Sequence, residues 1–398
     1  MLRRLAAVLL ILSLVTNSQL IYGRKDPTTG TVRVLYIGDY SASSPYPMLQ
    51  AEPLITLNFA WPSAMEGMST ALARRMFRQY IPRTYEKLAE NDAIIISDAD
   101  VFIFEDQHYM WFRDAVKKNG SGLVMIGGNA GFGGRPNPPW TPTVVQDILP
   151  VICIDGAWTD GRIEVLRLDN EFTASLPLDR RWPWMSGYDG NKVILKQGAE
   201  LLAEFVTLSG EHDPFWATWD TGEGRCFGVM GDWTPAGGVV FMRWAYYGDF
   251  AVNLMLYLSK NPIPSDLETL HKARGMYLEY RSTRDYLFSV MDFAEKLGAN
   301  MNPVAKMIGE AEEMHKASAE AYIDYDFQTA LARLDEAIAG LLQAADKAME
   351  LKDQAMTWIY FIEWSTVAAT FSICGFVVWT LMVRRRLYRQ ANQTRFAR

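Results

Sequence analysis

Few cysteines, few histidines and no surplus of positive charge characterise this chain of 398 residues, and each shortage excludes a class of protein. Three cysteines are too few for a small fold held together by disulfides. The four histidines show no spacing typical of a metal site, so we predict no metal and no cofactor. A net charge of −7 argues against a protein that mainly binds nucleic-acid phosphates. Because 49% of the residues are apolar, a wholly disordered chain is excluded as well.

Long apolar segments are a feature that the sequence does have, and the stronger one lies near the C-terminus. Residues 364–383 contain no charge and are followed by Arg384-Arg385-Arg386. At about 1.5 Å per residue, a helix of this length spans about 30 Å, the thickness of the hydrocarbon core of a bilayer. We therefore predict a transmembrane helix over residues 357–383. The positive-inside rule makes residues 384–398 a basic cytoplasmic tail.

The N-terminus carries a shorter apolar segment. Arg3 and Arg4 precede the run from Leu5 to Val15, which has the pattern of a secretory signal and is short for a membrane span. Residues 1–23 are therefore a signal peptide or an N-terminal anchor, and both alternatives place the following residues outside the cytoplasm. The predicted location is the cell membrane, with the lipid bilayer as partner, one C-terminal span and an extracytoplasmic body. A retained anchor would add a second span.

Between the two ends, buried strands alternate with helices. Three runs rich in aliphatic and β-branched residues are typical of strands covered on both faces; they are residues 32–37, 93–96 and 123–126. The helical segment 105–118 between two of them favours parallel strands joined by a crossover. After Pro150 the strands become shorter, and a helix from about residue 240 to 258 follows. We predict a doubly wound α/β domain, a three-layer sandwich, over residues 31–260.

A helical region follows the break Asn261-Pro262-Ile263-Pro264. Ser265 and Glu268 have the spacing of a capping box, and three segments with apolar residues on one face come after it. Because none of these segments is apolar all round, they must pack against another surface. Residues 265–352 are predicted to form a helical bundle or stalk that packs on itself, on a second copy or on a membrane-protein partner.

Several segments of the α/β region resemble the class I glutamine amidotransferase-like superfamily, in particular its membrane-associated and trehalose-utilisation-type branches. The segments that carry the resemblance are, in chain order, residues 92–100, 122–128, 132–134, 147–151 and 224–233. The resemblance covers roughly residues 31–259 and implies the flavodoxin-like fold of that superfamily.

The same resemblance implies a vacant catalytic position. Active members use a Cys on a sharp strand-to-helix turn, activated by a His and an acid. The corresponding turn here is Ile126-Gly127-Gly128-Asn129, which contains no thiol, and no His matches the catalytic one. The family's catalytic residues therefore cannot be carried over, and we predict no glutaminase activity. Cys153 and Cys226 are either a disulfide pair or two unrelated buried thiols.

Polar residues at the predicted strand ends are the remaining site candidates, because open α/β sheets bind ligands there. The candidates for ligand binding are Asp39, Ser97, Asp98, Gly127, Gly128, Asn129 and Asp232. If the chain is an enzyme instead, Asp98, Asp232 and His212 are the candidates for hydrolysis of a glycan or an amide. Alternatively, the same carboxylates cap helices or accept hydrogen bonds from turn amides.

Two further patterns have a structural and a functional interpretation. The glycines of residues 127–134 match neither the dinucleotide-binding nor the P-loop motif, so tight turns explain them better than a phosphate site. Tryptophans such as Trp140 and Trp182 lie in loops, where exposed rings would stack on a carbohydrate or a protein, and buried rings would only fill space. The sequence as a whole favours a membrane-anchored, non-catalytic module that binds a ligand or another protein, with no nucleic acid as partner.

Overall fold

A computed structural model describes residues 23–38, 44–60, 69–133, 139–158, 160–179, 190–234 and 241–395. The predicted signal peptide, apart from Gly23, and the candidate Asp39 lie outside these residues. The chain forms two compact units. The first comprises Met1–Leu278 together with Ser318–Leu331, and the second comprises Glu279–Ala317 together with Ala332–Arg398.

The described part of the first unit contains ten strands. They are β1 Val32–Ile37, β2 Ile55–Ala60, β3 Ala93–Ser97, β4 Gly122–Ile126, β5 Val151–Trp158, β6 Gly161–Val165, β7 Gly190–Leu195, β8 Glu200–Thr207, β9 His212–Thr221 and β10 Gly224–Val229. Eight of these strands form one sheet in the order β2-β1-β3-β4-β10-β9-β8-β6, and β5 pairs with β7 in a second, two-stranded sheet.

The large sheet is parallel in one half and antiparallel in the other. Strands β2, β1, β3, β4 and β10 run parallel, whereas β9, β8 and β6 are antiparallel to their neighbours. All residues of β3 and β4 are buried, as expected for central strands covered on both faces. The predicted α/β fold class is confirmed: the sheet is flanked by helices and followed by a long apolar C-terminal helix.

The helices of the described residues, two short 3-10 turns aside, are α1 Tyr46–Ala51, α2 Thr70–Tyr80, α3 Tyr85–Ala89, α4 Asp106–Asn119, α5 Glu171–Ala174, α6 Tyr247–Leu258, α7 Leu267–Lys296, α8 Asn302–Ile323 and α9 Phe327–Arg395. Helix α4 ends where Gly120 takes a left-handed conformation with φ of 75°. Helix α6 begins at Tyr247, later than the predicted start near residue 240, and residues 235–240 lie outside the described part. All of its residues except Gly248 are buried.

Helix α9 is continuous through residue 352, where the predicted stalk ends, and through residue 383, where the predicted transmembrane helix ends. In the described part of the chain it is the helix that is long and apolar enough to cross a membrane. Its apolar side chains are exposed, as Trp364 at 72% and Phe371 at 75% illustrate. An exposed apolar surface of this length is what a membrane span presents to lipid.

In the remainder of the second unit, α7 and α8 pack through aromatic contacts. The rings of Tyr280 and His315 are stacked with their centroids 4.2 Å apart. Burial lowers the pKa of His315 to about 4, so this imidazole is neutral at pH 7. Because a neutral ring loses little on leaving water, His315 acts here as an aromatic packing residue.

A buried ion network fixes the first part of α7 to the α/β body within the first unit. The Arg274 guanidinium donates to Glu52 Oε2 at 2.9 Å and to Asp249 Oδ1 at 2.8 Å, and the three side chains are 8%, 1% and 2% exposed. Arg274 also donates to Asn253 Oδ1 at 3.0 Å, while Asp249 Oδ2 lies 2.7 Å from His271 Nδ1. The first unit therefore extends beyond the Pro-rich break at residues 261–264, where the sequence alone placed a domain boundary.

The segment 318–331 belongs to the first unit through the same region. The Tyr322 hydroxyl lies 3.4 Å from Glu52 Oε2, and the Tyr277 hydroxyl lies 2.7 Å from Ser318 Oγ. Ser318 in turn donates to the carbonyl of Ala330 at 2.7 Å. Burial is the main reason why the pKa of Tyr322 is raised, so this phenol stays protonated and can donate to the carboxylate.

Replacing Arg274 by Met is expected to lower the free energy of unfolding of the first unit by about 3 to 5 kcal/mol, because Glu52 and Asp249 would remain buried without a cation. The matched control is Arg333→Met, which removes an exposed ion pair with Glu336 and should cost less than about 1 kcal/mol. Urea unfolding followed by tryptophan fluorescence measures both. Equal shifts of the two midpoints would show that the buried network contributes no more than a surface pair.

Candidate functional site

The carboxyl ends of β3, β4 and β10 meet at one edge of the sheet, where the turn after β4 is held by hydrogen bonds from both sides. The Gly127 N–H donates to the carbonyl of Val229 at 2.7 Å, and the Gly128 N–H donates to Asn191 Oδ1 at 3.0 Å. The Asn191 amide closes the ring by donating to the carbonyl of Gly128 at 3.1 Å. These backbone amides are therefore already paired and do not form a set of open donors for a ligand oxyanion.

Asp98 closes the turn from the neighbouring strand. Its own N–H donates to the carbonyl of Ile126 at 3.3 Å, and its Oδ1 accepts from the N–H of Ala130 at 2.5 Å. Asp98 has a φ of 43°, in the left-handed region that few residues other than glycine adopt. An Asp tolerates this conformation when its carboxylate is held by nearby backbone amides, as it is here.

The two glycines of the turn have no room for a side chain. Gly128 has a φ of 137°, and a Cβ built on it would stand 2.5 Å from Asp98 Cγ. A Cβ on Gly127 would stand 2.4 Å from the carbonyl oxygen of Met230. The position at which the superfamily resemblance expects a nucleophile thus contains glycine for a steric reason, and the space beside it is filled by a carboxylate.

The other glycines of this cluster pack equally closely. A Cβ on Gly131 would lie 2.7 Å from the carbonyl oxygen of Ile126, and one on Gly133 would lie 1.8 Å from that of Ile154. Gly133 therefore lies against β5, and close approach of two backbone segments accounts for it. The tight-turn interpretation of the glycine-rich segment is the one that this geometry favours.

Ser97 and Asp232 are also brought to this edge, and both are buried. The Trp233 indole N–H donates to Ser97 Oγ at 2.8 Å, and the Tyr247 hydroxyl donates to the carbonyl of Trp233 at 2.6 Å. Asp232 is 3% exposed and accepts from the N–H of Thr234 at 2.8 Å and from its hydroxyl at 2.6 Å. Ser97 thus joins the chain after β10 to the end of β3, whereas Asp232 stabilises its own loop.

The remaining candidates lie apart from this arrangement. Asn129 is exposed at the tip of the turn. His212 begins β9, where its Nδ1 lies 2.7 Å from Glu204 Oε1 of β8 and its side chain is 54% exposed. Its partner is therefore Glu204 rather than Asp98 or Asp232. In the described residues, no group of three or more His, Cys, Asp or Glu side chains is placed to hold a metal ion.

The three cysteines are free. Cys153 on β5 and Cys226 on β10 are both buried, at 2% and 0% exposure, and each is a separate thiol. Burial raises the pKa of Cys153 to about 12 and raises that of Cys226 as well, so both remain thiols at neutral pH. In the pairing of β10 with β4, Cys226 lies opposite Leu123. This is three residues before Val229 and Ile126, the pair at which both strands end. Neither thiol has the properties of a nucleophile.

Two residues near this edge stand out in the structure but not in the sequence. Asn191, at the start of β7, holds Gly128, but a single Asn that contacts a residue far away in the chain gives no pattern to detect in the sequence. Asp100 follows β3, and its Oδ1 is buried without a hydrogen-bond partner among the described residues. Burial raises the pKa of Asp100, so its protonated form is favoured more than that of an ordinary surface Asp.

The comparisons with known proteins support the superfamily. Residues 66–260 match the family model GATase1_like, described as "Putative glutamine amidotransferase". No curated protein matches the chain.

Solved structures to which the chain is distantly similar include two cytoplasmic proteins of Salmonella typhimurium. They are 22% and 20% identical to this chain, each with a TM-score of 0.46, and each comparison covers 57% of this chain and 99% of the other. A β-galactosidase from Rahnella sp. R3 is 12% identical with a TM-score of 0.34, over 58% of this chain and 32% of its own. Likenesses this distant give no information about activity.

Replacing Gly128 by Ala is expected to lower the free energy of unfolding by at least about 2 kcal/mol, since Ala at this φ is strained and its Cβ would overlap Asp98. The control is Gly309→Ala in α8, where nothing lies within 4 Å and the change should stabilise the helix by up to about 1 kcal/mol. Thermal melts of both variants measure the effect. A neutral Gly128→Ala would mean that Asp98 does not occupy this space.

Proposed function

We propose that this chain, whose residues 66–260 match the glutamine amidotransferase-like family, is a membrane-anchored binding protein without glutaminase activity. The observation that carries the proposal is the turn after β4, residues 126–129, where the resemblance expects a nucleophile. The turn contains no thiol, and the Asp98 carboxylate fills the space that a side chain at Gly128 would need. A side chain at Gly128 would require Asp98 to move.

Two further observations support the lack of glutaminase activity. A thiol nucleophile must ionise, and burial opposes that at Cys153 and Cys226. Stabilisation of an oxyanion needs backbone donors that are not otherwise engaged, and the amides of Gly127, Gly128 and Ala130 already donate to acceptors on neighbouring strands and loops. The domain keeps the scaffold of the family, and its strand-end groups are used to stabilise the turn.

Hydrolysis of a glycan or an amide by Asp98, Asp232 and His212 is the alternative function. It finds less support, because a pair of acid and base residues must face one substrate. Asp98 accepts a hydrogen bond from the turn after β4, Asp232 accepts from Thr234 in its own loop, and His212 is paired with Glu204. These three groups therefore serve three separate local structures.

Membrane anchoring by α9, with the α/β domain outside the cytoplasm, completes the proposal. Twenty uncharged residues, 364–383, are followed by Arg384-Arg385-Arg386, and the positive-inside rule favours a cytoplasmic location for these arginines. On this orientation, the helical region 265–352 is the stalk that connects the domain to the bilayer and offers a surface for a membrane-protein partner or a second copy. A carbohydrate is a further candidate ligand for the domain.

Glutamine hydrolysis by the full-length chain in detergent is expected to stay at background, measured as ammonia release beside an active glutaminase. A thiol-reactive glutamine analogue should leave Cys153 and Cys226 unmodified until the protein is denatured, and mass spectrometry detects this directly. Hydrolysis of glutamine, or of any glycan in a panel, that is lost on Asp98→Ala or Cys153→Ser would contradict the proposal.

The full-length chain is expected to remain in the membrane fraction after washing with high salt and alkaline carbonate, because an apolar helix of this length does not leave the bilayer. Deletion of residues 357–398 should release the protein when residues 1–23 are a cleaved signal peptide, and deletion of both segments should release it in either case. A C-terminal epitope should become accessible to antibody only after permeabilisation of the cells. Accessibility in intact cells would reverse the proposed orientation without affecting the anchoring.

A further inference from the structure

A basic groove lies between the end of α2 and the start of α4, apart from the turn after β4. Its volume is about 400 Å³, and the charged residues that line it are Arg75, Arg78, Arg83 and Glu105. Three guanidinium groups and one carboxylate thus face one surface depression. The groove therefore carries a local excess of positive charge in a chain whose net charge is −7.

Two of the three arginines have no ionic partner. Arg78 pairs with Glu105, and the neighbouring Arg74 donates to the carbonyl of Phe102 from outside the groove. Arg75 and Arg83 are exposed, and no carboxylate among the described residues lies within 4.0 Å of either one. A guanidinium presents its N–H donors in a planar fork that matches two oxygens of a phosphate. Two such forks remain available here.

His108 also lines the groove, and its tautomer is fixed. His108 is 4% exposed, and its Nδ1 accepts a hydrogen bond from the N–H of Glu105 at 3.0 Å. Burial lowers the pKa of His108, so the ring is neutral and its single proton resides on Nε2. The groove also borders the first turn of α4, a helix of 14 residues whose N-terminal amides carry partial positive charge.

We propose that this groove binds an oxyanion of the phosphate type, a phosphomonoester or phosphodiester, through Arg75 and Arg83, with Arg78 fixed by Glu105 beside them. The inference deepens the proposed function, because it names the ligand class of a domain regarded as a binding module. It uses none of the groups at the carboxyl ends of β3, β4 and β10. The groove can therefore bind its ligand whatever the chemistry at the sheet edge.

The test is titration of the full-length chain, in nanodiscs of pure phosphatidylcholine, with inorganic phosphate by isothermal calorimetry. The wild type is expected to show one saturable site whose affinity falls as salt is raised, since exposed charges are screened. The double variant Arg75→Gln/Arg83→Gln should bind at least tenfold more weakly. Arg75→Lys/Arg83→Lys, which keeps the charge and loses the fork, should fall between the two.

The control is Arg162→Gln/Arg333→Gln, which removes the same charge from two arginines elsewhere that are 45% and 47% exposed. It should change the affinity less than twofold. Circular dichroism melts show whether each variant is folded. Absence of saturable binding by the wild type, or equal weakening by the control, would overturn the proposal, because binding would then be absent or would depend only on overall charge.

A second arm identifies the source of the phosphate group. Vesicles of phosphatidylcholine with 30% phosphatidylglycerol are added to the same nanodiscs, and co-sedimentation is compared between the wild type and Arg75→Gln/Arg83→Gln. Capture that the substitutions abolish assigns the groove to lipid headgroups, whereas phosphate binding without such capture assigns it to a soluble ligand. Glutamine hydrolysis in the same preparation would contradict the proposed function and leave the phosphate result unaffected.

Discussion

The buried guanidinium of Arg274 is the constraint on which the first unit depends. A cation and two carboxylates that are almost completely withdrawn from water are tolerable only while all three stay together, because removing any partner leaves an uncompensated charge in a medium of low polarity. Glu52 follows α1, Asp249 lies on α6 and Arg274 lies on α7, so the network joins three parts of the chain that are distant in sequence. The first two turns of α7 cannot separate from the α/β body without breaking it. Tyr322, in the last turn of α8, extends the same network to residues 318–331.

The turn after β4 is also held by polar contacts. A polar group that is already hydrogen-bonded within the fold is not available to a ligand. Asp98 accepts from Ala130, and the amide of Gly128 donates to Asn191. Each of these bonds stabilises the turn by satisfying a backbone group that would otherwise need water. An active site of the family type would need a nucleophilic side chain on this turn and backbone N–H groups that are free to donate to a ligand. The close contact between Gly128 and Asp98 makes the two arrangements mutually exclusive.

The sequence predicted those parts of the fold that produce a strong local pattern. Strands β1, β3 and β4 are aliphatic runs, and the uncharged segment 364–383 is unmistakable; both lie where they were expected. Strand β2 was not identified, because it is an edge strand whose Thr56 and Asn58 are exposed and interrupt the apolar run. The absence of a thiol at residues 126–129 was readable from the sequence. That Asp98 fills the space, that Asn191 holds the turn and that Arg274 fixes α7 were not, because all three are contacts between residues distant in the chain.

In the proposed function, the basic groove binds the ligand while the closed turn lacks the chemistry of glutamine hydrolysis. Asp98 and Glu105 lie at the two ends of the loop that leads from β3 to α4. The turn after β4 is closed at the Asp98 end, and Arg78 is paired with Glu105 at the other end. Asp98 is hydrogen-bonded to both Ile126 and Ala130, which fixes the first end of this loop. At the other end, the ion pair with Glu105 restrains Arg78, which reduces the entropy that this side chain would lose when a ligand binds beside it. In a chain with a net charge of −7, the local positive charge also attracts an anion toward the groove rather than elsewhere on the surface.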